Sequence, residues 1–185
     1  MPNWCNNVVT IEHKNKTAID RVVKAFNDKE LCHEFIPVPE PLLGTQAPNT
    51  HNPKEMYDIY GYESWYDFCN SEWGTKWDVG GDETCDVERK DNKSVTLTFD
   101  SAWAPPIGLY DKLSREGYHV TAYYYEGGCA FAGIFRSESG DDCYPVPSTS
   151  ARVKEMIPEE LDEMFGISDI VKEYEDTETD NEEDE

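Results

Sequence analysis

From Asn7 to Glu12 the chain alternates around Val9 and Ile11, the two-residue period of a half-buried strand. Thr17 then stands at capping distance before Asp20, and Ile19, Val22, Val23 and Phe26 follow at i, i+3, i+4 and i+7, so four apolar side chains share one helical face. Pro37, Pro39, Pro41, Pro48 and Pro53 forbid a long helix or a central strand over 36–53 and predict an extended connection along the surface. Between Glu55 and Trp77 the chain is crowded with aromatic residues. Trp65, Phe68, Cys69 and Trp73 fall on one face at helical spacing, and Gly74 is placed to end that helix. Trp77 and Val79 begin a strand that Gly80-Gly81 interrupts, and Asp91-Asn92-Lys93 is a turn.

Val95, Leu97 and Phe99 alternate with Thr96 and Thr98 in the clearest half-buried strand of the chain. Pro105-Pro106 breaks it, with Pro106 suited to the first turn of a second helix whose apolar face is Ile107, Tyr110 and Leu113 and whose end is Gly117. Tyr118–Tyr125 and Cys129–Phe135 flank a hairpin turn at Glu126-Gly127-Gly128. Tyr144 to Pro147 is extended, and Ser150 and Pro158 open two short helical pieces, the second carrying Leu161, Met164 and Phe165 before Gly166. In order this predicts an α+β, ferredoxin-like split-βαβ sandwich, an antiparallel sheet with two helices on one side. It carries an aromatic-rich helical insertion at about 36–80 within a domain spanning 1–147, then a helical extension over 148–171 packed on the sheet edge.

Charge changes the picture at the C-terminus. The 185 residues hold 39 acids and 16 bases, net −23, and residues 155–185 supply −14 of it with Lys172 their one base. Glu173 to Glu185 has nine acids and one aromatic, too little apolar area to offset ordering, so 172–185 reads as a disordered acidic tail. Such a charge repels phosphate backbones and anionic lipid, disfavours direct nucleic-acid binding and favours basic partners. No apolar run approaches the ~20 residues of a membrane span and the first residues lack a secretory pattern, so the expectation is a cytoplasmic protein. Cys5, Cys32, Cys69, Cys85, Cys129 and Cys143 form no CxxC pair; they read as buried or half-buried free thiols, with neither zinc nor an iron–sulfur cluster expected.

The five tryptophans, Trp4, Trp65, Trp73, Trp77 and Trp103, read first as interlayer packing. A binding groove at Trp73, Lys76, Trp77 and Asp78 is the second reading, because Lys76 is interleaved with two indoles. His13, His33, His51 and His119 lie in no catalytic motif, and Asp78, Asp82, Glu83 and Asp86 lack the register of a calcium loop, so no catalytic residue, metal or cofactor is expected. Tyr123-Tyr124-Tyr125 invites comparison with base-stacking sheets, yet no Lys or Arg lies between Tyr118 and Phe135.

Four motifs, Met1-Pro2-Asn3-Trp4-Cys5-x-Asn7, Trp73-Gly74-Thr75-Lys76-Trp77-Asp78, Phe99-x-Ser101-Ala102-Trp103-x-Pro105-Pro106 and Tyr125-Glu126-x-Gly128 with Phe131-Ala132-Gly133, resemble a family of bacteriophage and plasmid proteins that includes the plasmid YubB-like proteins. The resemblance covers roughly 1–136 and implies an accessory protein of a mobile element with a ferredoxin-like domain; it implies no catalytic or binding residue. The leading expectation is a non-enzymatic binding protein that sets its acids against a basic site on a host protein, as a DNA mimic inhibiting host defence or nucleic-acid machinery. The acids expected to matter are Glu155, Glu159, Glu160, Asp162, Glu163, Glu173, Glu175 and Asp176. A solubilising coat is the bland alternative for those carboxylates. A small enzyme or nucleotide-handling domain with a pocket near the aromatic insert is another, and an inhibitor acting by the shape of the insert a third.

Overall fold

The computed structural model describes residues 3–182. β1 (Trp4–Glu12) leads to α1 (Lys16–Asn27), then to an inserted run of short helices, α2 (Leu31–Phe35), α3 (Glu40–Leu43), α4 (Pro53–Tyr60) and α5 (Trp65–Phe68), the last continuing as a π-helical turn over Cys69–Trp73. β2 (Asp86–Arg89), β3 (Ser94–Ala102), α6 (Ile107–Arg115), β4 (His119–Glu126), β5 (Phe131–Arg136) and β6 (Gly140–Pro145) follow, and α7 (Ser150–Met156), α8 (Glu159–Phe165) and α9 (Ile167–Glu182) close the chain. The strands form one antiparallel sheet of order β2-β3-β1-β4-β5-β6. Its first four strands, with α1 and α6 as crossovers, are the ferredoxin-like split-βαβ sandwich, and β5 and β6 extend it as a meander.

Period-two alternation decides what each face buries. Val9, Ile11, Val95, Leu97, Phe99, Val120, Ala122 and Phe135 point to one face and pack against Ile19, Val22 and Phe26 of α1 and Leu109, Tyr110 and Leu113 of α6. Asn15, in extended conformation, caps α1 by accepting the Thr17 N–H at 3.0 Å, so the cap lies two residues ahead of the expected Thr17. Asn7 is a buried polar exception on this face: its Nδ2 donates to Ser101 Oγ and Cys5 O, both at 2.8 Å, and its Oδ1 accepts from the Tyr110 hydroxyl at 3.1 Å. Every group of that side chain is satisfied, which is what makes its burial tolerable.

Three expectations are corrected. No strand begins at Trp77; Val79 is an isolated buried anchor, and Gly80 and Gly81, at φ +103° and +66°, swing the chain away before β2 starts at Asp86. The helices after Ser148 do not pack on the sheet edge. They cover the opposite face of β4 and β5, where Tyr125, Ala132 and Ile134 form a second core with Val153, Ile157, Leu161, Ile167 and Val171. Lastly, α9 is helical through Glu182 where disorder was expected from 172; residues 183–185 of that tail lie outside the described residues. Short helices of this kind are marginal alone. Docking supplies the stability, since each fully buried Val, Leu or Ile contributes about 1.5–3 kcal/mol.

The insertion is wedged against α6 at one glycine. A Cβ on Gly108 would collide with the Glu72 carbonyl oxygen of the π-helical turn. Gly→Ala within a helix ordinarily stabilises by about 0.5–1 kcal/mol. Gly108→Ala is expected to do the reverse and cost about 1–3 kcal/mol by overpacking. Urea denaturation checks this, and a midpoint at or above wild type would mean the turn moves freely off α6.

Candidate functional site

β2 pairs with Val95–Thr98, so among the described residues no strand lies beside the outer edge of β3 from Phe99 to Ala102. The segment 73–82 lies against that edge instead. Gly74, at φ +90°, ends the π-helical turn as the sequence predicts, and the Thr75 hydroxyl donates to Ala102 O at 3.0 Å. The four residues of the predicted groove are split by this path. Trp73 is buried, its indole N–H donating to Ile36 O at 2.8 Å and its ring edge-on to Phe68. Asp78 is a structural clasp: its carboxylate accepts the backbone N–H groups of Cys32 at 2.7 Å, His33 at 2.8 Å and Val79 at 2.9 Å, tying the start of α2 to the segment beside β3.

Lys76 and Trp77 face outward. Lys76 Nζ stands 4.4 Å from the centroid of Trp77, 5.1 Å from that of Trp103 and 5.8 Å from that of Tyr66. Trp4 joins from β1, its ring 6.0 Å from Trp77. Trp4 is 49% exposed and Trp77 and Trp103 each 39%, so packing accounts for Trp73 but not for these three. Trp103 also adopts the left-handed region at φ +69°, with its N–H donating to Asn3 O. In the adjoining hairpin turn Glu126 accepts the N–H groups of Gly128 and Cys129, and Asn3 Nδ2 reaches Cys129 Sγ at 3.8 Å. The described residues of all four sequence motifs, from Asn3 onward in the first, therefore meet at one end of the sheet. Sequence reasoning missed Trp4 and Trp103 as surface residues; the Pro105-Pro106 break after β3 was the available signal for Trp103.

The C-terminal acids divide differently. Glu160 accepts from Arg136 and from the Tyr123 hydroxyl, Asp162 accepts the Ser168 N–H at 2.6 Å, and Glu175 accepts the Ser150 N–H at 3.0 Å, a bond that holds the Glu175 carboxyl below its usual range. These three fasten the helical cap. Glu155, Glu159, Glu163, Glu173 and Asp176 lie exposed on α7, α8 and α9. A depression of about 620 Å³ opens among them, with Glu159, Glu163 and Asp169 on its rim and Lys154 beside them. The cap also covers the tyrosine strand: Tyr125 packs 6.0 Å from Phe165 and Tyr123 is bonded to Glu160, so that face offers no platform for stacking bases.

The thiols are free and three are buried, whereas Cys129 and Cys143 are exposed, contrary to the expectation that all six would be covered. Burial pushes the Cys5 and Cys32 thiols up and that of Cys69 to about 12, so these three are protonated and inert at neutral pH. Among the described residues no cluster of His, Cys, Asp and Glu is arranged to hold a metal ion, and no helix is long and apolar enough to cross a membrane.

Comparison with known proteins bears on the scaffold. The family model for the ferredoxin-like domain in Api92-like protein matches residues 72–171, more than half of the chain. The match takes in α7 and α8, which lie outside the four motifs, and begins after β1 and α1. A solved structure, that of a protein api92 from Yersinia pseudotuberculosis, is similar at 11% identity and a TM-score of 0.43, over 80% of this chain and 99% of that one. No curated protein matches the chain.

Burial raises the Asp78 carboxyl above its usual range, and the three amide donors pull it back only in part. A carboxyl raised in the folded state adds stability that is complete below the unfolded value of about 4 and is lost as pH rises through the folded value. Asp78→Asn is expected to cost about 1–3 kcal/mol at pH 7, because an amide presents one acceptor to three donors. The melting-temperature gap between wild type and variant should widen as pH is lowered from 7 toward the unfolded value of about 4; a gap that narrows would show the amide bonds outweighing burial.

Proposed function

This chain belongs to the family with the ferredoxin-like domain of Api92-like proteins, and on that premise we propose that it is a non-enzymatic binding protein that engages a basic site on a host protein. The four-motif resemblance supports a phage or plasmid source and work in the host cytoplasm. A host protein whose basic cleft evolved for the phosphate field of DNA, in defence or nucleic-acid machinery, is the target this reading favours.

The observation that carries it is the placement of the free acids. Glu155, Glu159, Glu163 and Glu173 project from helices that a second core locks onto β4 and β5, not from a loose tail. Charges on a docked cap lose less conformational freedom on binding than charges on a flexible segment, so more of their attraction is realised as affinity. A purely solubilising coat has no need of such fixed positions. The enzyme or nucleotide-handling alternative at the insert has less support, because Trp73 and Asp78 spend their polar groups on the fold.

The test compares wild type with a Glu155→Gln, Glu159→Gln, Glu163→Gln, Glu173→Gln variant, which leaves Glu160, Asp162 and Glu175 in place and keeps near-equal helix propensity. In affinity capture from bacterial lysate, wild type should retain a basic protein that duplex DNA displaces and that elutes by about 0.5 M salt, where screening is strong. The variant should lose it. Equal capture by both, or retention that salt leaves unchanged, overturns the proposal.

A further inference from the structure

Beside the predicted groove, Trp4, Trp77, Lys29, Asp82 and Asp100 wall a hollow of about 370 Å³ on the strand-free edge of β3. The Trp4 and Trp77 rings are tilted 40° to each other and both stay substantially exposed. Exposed indoles that neighbouring layers leave uncovered mark a contact surface. We infer that this hollow receives an arginine side chain of the basic partner, an inference that rests on the reading above that the partner is a basic protein.

Three observations select the guanidinium. First, one of the two indoles already attracts a cation: Lys76 Nζ, from outside the hollow, lies over Trp77 as well as over Trp103 and Tyr66 beyond it. Second, the wall is acidic. Asp78, Asp82 and Asp100 contribute three carboxylates against Lys29 and the neighbouring Lys76, with Asp78 engaged by backbone amides and Asp82 by the Lys29 ammonium at 2.6 and 2.7 Å. Asp100 receives the Asn6 amide on Oδ1 at 2.6 Å, and its Oδ2 has no partner among the described residues. Third, a planar, weakly hydrated guanidinium can lie on an indole while its in-plane N–H groups donate to a carboxylate, which a compact ammonium does less well. A nucleobase would stack on the same rings, but its phosphate would enter a wall of net negative charge.

The probe is the tripeptide acetyl-Gly-Arg-Gly-amide, titrated into ¹⁵N-labelled full-length protein while the five indole N–H resonances are followed. The Trp4 and Trp77 signals should shift saturably with a dissociation constant of order millimolar, the scale of one cation on exposed rings and one carboxylate. The buried Trp73 signal should stay. The citrulline tripeptide, of the same shape without the charge, should bind at least about fivefold more weakly, as should the arginine tripeptide to Asp100→Asn or Trp4→Ala. Asp100→Asn keeps the acceptor for Asn6, so it separates binding from folding. Equal shifts with citrulline, shifts with adenosine monophosphate instead, or none at all overturn the assignment. The fourfold Gln variant of α7–α9 should keep the full tripeptide response, so loss of capture by that variant and failure of the hollow are read separately.

Discussion

Burial of β4 and β5 on both faces is the constraint from which the rest of the molecule follows. A strand covered on one side alternates; one covered on both is apolar along its length. Val120, Ala122 and Phe135 belong to the core against α1 and α6, while Tyr125, Ala132 and Ile134 belong to the core against α7–α9. Two helices suffice for a split-βαβ sandwich, but here the far face of this strand pair requires a third layer, and the C-terminal helices supply it. The sheet is covered on that face only at one side, toward β4 and β5. At β1 and β3 the same face carries Trp4, Asn6, Thr10, Thr96 and Asp100 and stays polar and open, with Thr10 and Thr96 bonded across the strands at 3.1 Å.

That asymmetry places the charge. An acidic helix has no reason to fold by itself, and α8 is seven residues with Glu159, Glu160 and Asp162 in its first turn. Acids there are favourable to the helix dipole, and Leu161 between them is fully buried. One side chain thus anchors the helix while its neighbours remain in water. Glu160, Asp162 and Glu175 are drawn back to stitch the cap to β5 and to itself, which leaves a smaller and more rigid set of carboxylates facing outward.

The opposite problem, too many large aromatic groups, is solved at the other end of the sheet. The insertion packs Phe68 and Trp73 inward, and the half-buried Asp78 carboxylate clamps its two arms by three backbone amides. Trp77, Trp103 and Trp4 are left outside by the same geometry, since Thr75, bonded to Ala102, fills the position next to the strand. The stable clasp and the exposed rings are consequences of one path of the chain along β3.

Much of this was legible from residue order. Alternation at Val9 and Ile11 and at Val95, Leu97 and Phe99, the helical face of Ile19 to Phe26 and the proline breaks define the ferredoxin-like frame, because those signals are local and each element's period records which side it buries. The aromatic groove at Trp73 to Asp78 was legible only as a concentration of chemistry: neighbouring residues along the chain part company when a π-helical turn and a positive-φ glycine turn one inward and the next outward. The Tyr123-Tyr124-Tyr125 run hinted at two covered faces without saying by what. Which acids stand free and which are spent on Arg136, Ser168 and Ser150, whether the acidic end folds, and that Trp4 meets Trp77 across some seventy residues of chain are long-range pairings, which composition and periodicity do not encode and only tertiary packing decides.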